Sequence, residues 1–118
     1  MKIIIPISVG ELLDKISILH IKSQHTNSKY VTQELQDLIK IAQENQVYSQ
    51  KYMAELLEVN TKLWNIEDKL RVLEKEDIFN EEFISLARSV YITNDQRASI
   101  KKNINEEYNS SYQEVKCY

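Results

Sequence analysis

From Glu11 to Tyr118 the chain contains neither glycine nor proline; the single Pro6 and the single Gly10 both fall within the first ten residues. Tight turns and strand ends draw heavily on those two residue types, so their absence favours long helices and argues against an all-β fold. The apolar pattern agrees. Tyr52, Leu56, Val59, Leu63, Ile66, Leu70 and Leu73 recur at alternating steps of four and three, which keeps one helix face apolar for about six turns. A second stripe, displaced by one residue, reads Met53, Leu57, Asn60, Trp64, Glu67, Arg71 and Glu74. It begins apolar and turns polar halfway along.

A chain of 118 residues is one domain by ordinary size. At 13.9 kDa, area scaling gives roughly 6,700 Å² exposed when compact, against roughly 20,000 Å² unfolded. A core large enough to hold the fold without disulfides is therefore within reach. The net charge is −3, with Lys and Arg scattered. Nucleic-acid binding is not expected, because phosphate neutralisation needs a concentrated basic surface. The single Cys117 has no internal partner and no CxxC spacing, which fits a reducing compartment. The apolar run Ile3-Ile4-Ile5 is too short for a secretion signal, and no stretch approaches membrane-spanning length. The expectation is a soluble, cytoplasmic protein without a membrane partner.

Along the chain, Ile3–Ile5 reads as a short strand ended by Pro6. Ser8-Val9-Gly10-Glu11 has the form of a capping box, opening a helix that runs to about Lys22. Leu12, Leu13, Ile16, Ile18, Leu19 and Ile21 surround that helix, which marks it as the central, most buried one. A second helix begins near Val31, with Leu35, Leu38, Ile39 and Ala42 on its apolar face. Around Asn45 the pattern allows either a loop or one continuous helix to Lys75. A helix from Gln50 to Glu76 would be about 40 Å long, more than the width of a compact domain this size, so it either protrudes or is covered by a second copy. Asn80 can cap the next helix, which carries Phe83, Leu86, Ala87 and Val90. At Thr93 a break and an unbroken helix are both compatible with the pattern, and Asn109–Tyr118 reads as an extended tail able to pair with the N-terminal strand.

Two polar constellations interrupt the apolar faces. In the first, spacings of three and four put Asn60, Trp64, Glu67 and Arg71 on one face, with Asp68 adjacent, and Glu67–Arg71 forms an i,i+4 pair. In a functional reading Trp64 is an apolar wall and Glu67 a general base raised by burial; in the structural one, Trp64 packs at the core edge. The second holds Arg88, Tyr91, Asn94, Asp95, Arg97 and Lys101. Its cations could bind phosphate or carboxylate, or be satisfied by acidic residues of neighbouring helices. Gly10 in a first helical turn permits close packing or an anion on the helix amides, with Lys15 as a possible assistant. His20 and His25 lack ligand spacing, and no paired E-x-x-H pattern recurs, so no metal and no cofactor are expected.

These segments resemble a known family. Pro6-Ile7-Ser8-Val9-Gly10-Glu11-Leu12-Leu13-Asp14-Lys15, Leu63-Trp64-Asn65-Ile66-Glu67-Asp68, and Leu86-Ala87-Arg88-Ser89-Val90-Tyr91 leading into Thr93-Asn94-Asp95 and Arg97-Ala98 are similar to a family of small bacterial and phage proteins classed as a domain of unknown function. The likeness runs through nearly the whole chain. The tail departs from that family's Glu-Glu-Lys-Ser-Tyr ending, reading Glu114-Val115-Lys116-Cys117-Tyr118. The resemblance implies no activity; it implies that the three motif segments form one unit.

The fold expected is all-α, a helical bundle built on a long antiparallel pair, with a short N-terminal strand against the tail. The preferred function is a non-enzymatic, self-associating interaction or accessory module, working as a homodimer. The competing one is a binder or enzyme for an anionic small molecule such as a nucleotide or phosphosugar. In it Lys15, Arg88 and Arg97 hold the charge, Trp64 and Tyr91 stack, and Glu67 is the base, within a site shared with Asp68, Arg71, Asn94 and Asp95. In the preferred reading, Glu67 and Asp68 are expected to pair with Arg88 or Arg97, beside Trp64 and Tyr91.

Overall fold

A computed structural model describes residues 1–118 as four helices: α1 Val9–Ser23, α2 Lys29–Glu44, α3 Gln50–Lys75 and α4 Glu81–Glu107. Each start is set by a side-chain cap. Ser8, Ser28, Ser49 and Asn80 accept from the backbone N–H of Glu11, Tyr30, Tyr52 and Phe83 respectively, satisfying donors that have no partner inside the helix. Only half of the capping box at Ser8 operates. The Glu11 carboxylate turns to Lys101 of α4 instead of its own helix.

The ends are made without glycine. Gln46, Asp77 and Asn109 take left-handed backbone, at φ 57, 54 and 49°. In each case the following residue donates back five positions: Val47 to Ala42, Ile78 to Leu73 and Ser110 to Asn105, at 2.8–2.9 Å. The same C-terminal motif thus closes α2, α3 and α4. The first of them settles the open question near Asn45 in favour of a loop. At Thr93, by contrast, α4 is continuous, and Thr93 itself is fully buried.

The strand expected at Ile3–Ile5 does not form. Residues 1–7 carry neither helix nor strand, and Ile3, Ile4 and Ile5 stand exposed. A strand of three residues needs a ladder partner, and the tail is committed elsewhere: Glu114 and Lys116 pair with Lys101 and Asp95 of α4.

α1 is the hub, packing against α2, α3 and α4, while α3 and α4 also pack on each other and α2 touches α1 alone. Leu12, Leu13 and Ile16 meet Ala42, Tyr52, Met53, Leu56 and Ile104 in one core. The fifteen residues of α1 cover about 22 Å, whereas α3 and α4 run about 40 Å each. The central helix therefore supports only half of the long pair. Beyond it the apolar stripe weakens: Tyr52 through Ile66 are buried, Leu70 and Leu73 only half so, and no residue from Glu67 to Ile92 is buried. This arm stretches the molecule to 48 × 36 × 27 Å with a radius of gyration of 16.0 Å, where a compact chain of this length would have about 13–14 Å.

Candidate functional site

The polar centre is built around Asp14, which projects from α1 into the interior and is 1% exposed. A carboxylate so placed must be paired and fully hydrogen-bonded to remain charged. Arg97 of α4 meets it with a two-pronged fork, Nε to Oδ1 at 2.9 Å and Nη2 to Oδ2 at 2.5 Å. Asn60 of α3 donates through Nδ2 to Asp14 Oδ1 at 2.9 Å and to Ser17 Oγ at 2.8 Å. Ser17 in turn donates to the Asp14 carbonyl. Three helices are thereby pinned at one point, and Arg97 is the only full charge that meets the carboxylate. The Asp14 hydrogen bond holds the Arg97 guanidinium above its ordinary pKa, against the opposing pull of burial.

One turn along α4 a second knot closes the N-terminal end of α1. Lys101 Nζ lies 2.8 Å from Glu11 and 3.3 Å from Glu114. Burial alone would lower the Lys101 pKa, but the Glu11 hydrogen bond and the charges of Glu11, Asp14 and Glu114 outweigh it, so the net direction is up. The backbone N–H of Gly10 donates to Asn105 Oδ1 at 2.7 Å, and that of Val9 to Ser110 Oγ at 3.2 Å. The first amides of α1 are thus taken by α4 and by the turn that follows it. A Cβ on Gly10 would lie 2.7 Å from the Lys101 carbonyl oxygen, so close helix packing is what this glycine serves.

The tail adds a third cluster at the surface. Asp95 accepts from Lys116 Nζ at 3.0 Å and from Tyr118 Oη at 2.7 Å, and these bonds, Tyr118 first, lower its pKa. Between the tail and α4 lies an open cleft of about 460 Å³, lined by Tyr91, Asn94, Asp95, Arg97 and Lys101 among others. Each cation on its wall already faces a carboxylate. Charged in this way, Arg97 and Lys101 are fitted to hold structure rather than to exchange protons near neutral pH.

The remaining candidates are dispersed. Lys15 bridges to Glu34 of α2 at 3.4 Å. Trp64 is half-buried and carries the His25 ring stacked on it, centroids 4.5 Å apart, so the loop after α1 is clamped to α3. Glu67, Asp68 and Arg71 are exposed and form no ion pair; Arg88 is likewise exposed and unpaired, in a groove with Glu81, Ile84, Ser85 and Ile92. The expected pairing of Glu67 or Asp68 with Arg88 or Arg97 is therefore corrected: the carboxylate that meets Arg97 is Asp14. No three His, Cys, Asp or Glu side chains converge as metal ligands.

Arg97 and Asn94 fall in one of the two polar constellations of the sequence and Asn60 in the other, whereas Asp14 lies in neither. The signal was present. A lone acid between Leu13 and Ile16, on a helix apolar nearly all round, demands a buried cationic partner.

Fold and polar centre together define an all-α domain whose two buried charged side chains, Asp14 and Lys101, are matched within the chain. The chain belongs to the Family of unknown function (DUF6165), whose model matches residues 1–118, as the motif resemblance implied at that level. No curated protein and no solved structure matches it.

Proposed function

We propose that the chain is a non-enzymatic interaction or accessory module that self-associates, acting in the cytoplasm of a bacterium or a phage-infected host. The observation that carries this is surface area. The chain exposes 8430 Å², against roughly 6,700 Å² for a compact monomer of its mass. The excess of roughly 1,700 Å² is about twice what each partner contributes to a standard interface. Part of it lies at the termini, where Met1, Ile3, Ile4, Val115 and Tyr118 are exposed, and part where the helix pair outruns α1, a stretch that bears exposed Val72, Ile78, Phe79, Ile84 and Ile92. A homodimer would cover such a face.

The paired state of the cations supports the same reading. An anionic ligand at Arg97 or Lys101 would have to compete with Asp14, Glu11 and Glu114, while Arg88 lines a separate groove. Ligand and self-association readings separate in one thermal-unfolding series. A self-associating chain melts at a temperature that rises with protein concentration, and nucleotides or sugar phosphates leave the melt unchanged. A ligand-dependent rise following RT ln(1 + [L]/Kd), without concentration dependence, would favour the small-molecule binder.

A further inference from the structure

We propose that the docking surface is the outer face of α4 on the arm, and that its occupant is the same face of a second copy running antiparallel. This rests on the self-association reading above and specifies its geometry. Glu81, Ile84, Ser85, Arg88 and Ile92 line one shallow groove along the helix, at the spacings that share a helix face. Glu81 and Arg88 are two turns apart, opposite in sign, and neither makes an ion pair within the chain. Ile84 is 55% and Ile92 45% exposed.

A two-fold axis passing between Ile84 and Ser85 sets Glu81 of each copy opposite Arg88 of the other, forming the charge pair twice. The same axis brings the two Ile84 side chains together at the centre and carries Ile92 over the Ile78 turn of the partner. A parallel arrangement would instead stack Glu81 on Glu81 and Arg88 on Arg88. Opposite charges thus select the antiparallel register, and a self-complementary patch of this kind closes at two chains. The two Ile84 side chains would form the dry centre, with a charge pair on either side and Ile92 beyond it.

Charge exchange provides the test, read as dimer dissociation by sedimentation. Arg88→Glu puts two acidic residues opposite each other at both ends and is expected to weaken the dimer roughly tenfold or more. Glu81→Arg does the same with two cations, and the double exchange Glu81→Arg/Arg88→Glu restores association. Because Glu81→Arg also opposes the N-terminal end of α4, Ser85→Cys in a Cys117→Ser background gives an independent reading. A short bis-maleimide should link two such chains through position 85. If the native chain dimerises but R88E leaves the dimer intact and position 85 does not cross-link, this face and register are wrong while self-association stands. A native chain that is monomeric throughout overturns both.

Discussion

The half of the molecule around α1 and the arm of α3 and α4 are made from the same two long helices, yet they resolve their polar residues in opposite ways. Around α1, Asp14, Ser17, Asn60 and Arg97 leave no charge unmatched. In the arm, Glu67, Asp68, Arg71, Glu81 and Arg88 have no ion-pair partner, and nothing between Glu67 and Ile92 is buried. The difference follows from length. A third helix is present to cover the pair over about four turns, and beyond that point two helices alone cannot bury a common face. What the contrast teaches is that polar residues inside an apolar pattern have two physical roles here. Where a third helix covers them they fix how helices meet; where none does, they are free to meet another molecule.

The sharpest way to break that contrast is to truncate one arginine in each region. Arg97→Ala leaves the Asp14 carboxylate buried without its cation and is expected to cost about 3–5 kcal/mol of stability, measured by urea unfolding. Arg88→Ala, at a protein concentration low enough to be monomeric, should stay within about 0.5 kcal/mol of the native chain. Equal losses would show that the two regions are not distinct. Next in size is Gly10→Ala, where the new Cβ meets the Lys101 carbonyl backbone; overpacking of this kind costs about 1–3 kcal/mol and should lower the denaturation midpoint.

Alkali acts on the α1 half. Tyr52 lies against Glu107, its hydroxyl donating to Oε1 at 3.2 Å; burial, then the charge and hydrogen bond of Glu107, raise its pKa above 10.0. Lys101 is raised above 10.5 for the reasons given. Both groups hold their proton more firmly folded than unfolded. Their contribution is therefore complete below the unfolded values and is lost as pH climbs through the folded ones. Stability should fall from about pH 10 upward, and Tyr52→Phe should flatten that fall when unfolding is followed across pH 9–12. The smallest effect sits at the helix ends. Gln46 holds left-handed backbone without a side chain suited to it, so Gln46→Gly should gain about 0.5–1 kcal/mol in the same urea assay; a loss would mean that its side chain matters more than its backbone.

Much of this architecture was legible in the residues. The seam Tyr52 to Ile66, the caps at Ser8 and Asn80, the hub role of α1 and the excess length of α3 all follow from spacing and composition. Three things were not legible. Periodicity gives the face a residue occupies on its own helix, but not which residue of another helix stands opposite, so Arg97 was expected near Glu67 rather than Asp14. The left-handed closures at Gln46, Asp77 and Asn109 carry no glycine and so leave no mark in the sequence. The strand at Ile3–Ile5 had local propensity, which decides nothing when the tail is drawn to Asp95 and Lys101 by charge.

Amide hydrogen exchange at two protein concentrations bears most directly on the division between a closed half and an open arm. Peptides covering Ile78–Ile92 should become better protected as concentration rises, while those covering Leu12–Ile21 stay unchanged. Arm amides that exchange at one rate regardless of concentration would contradict the account.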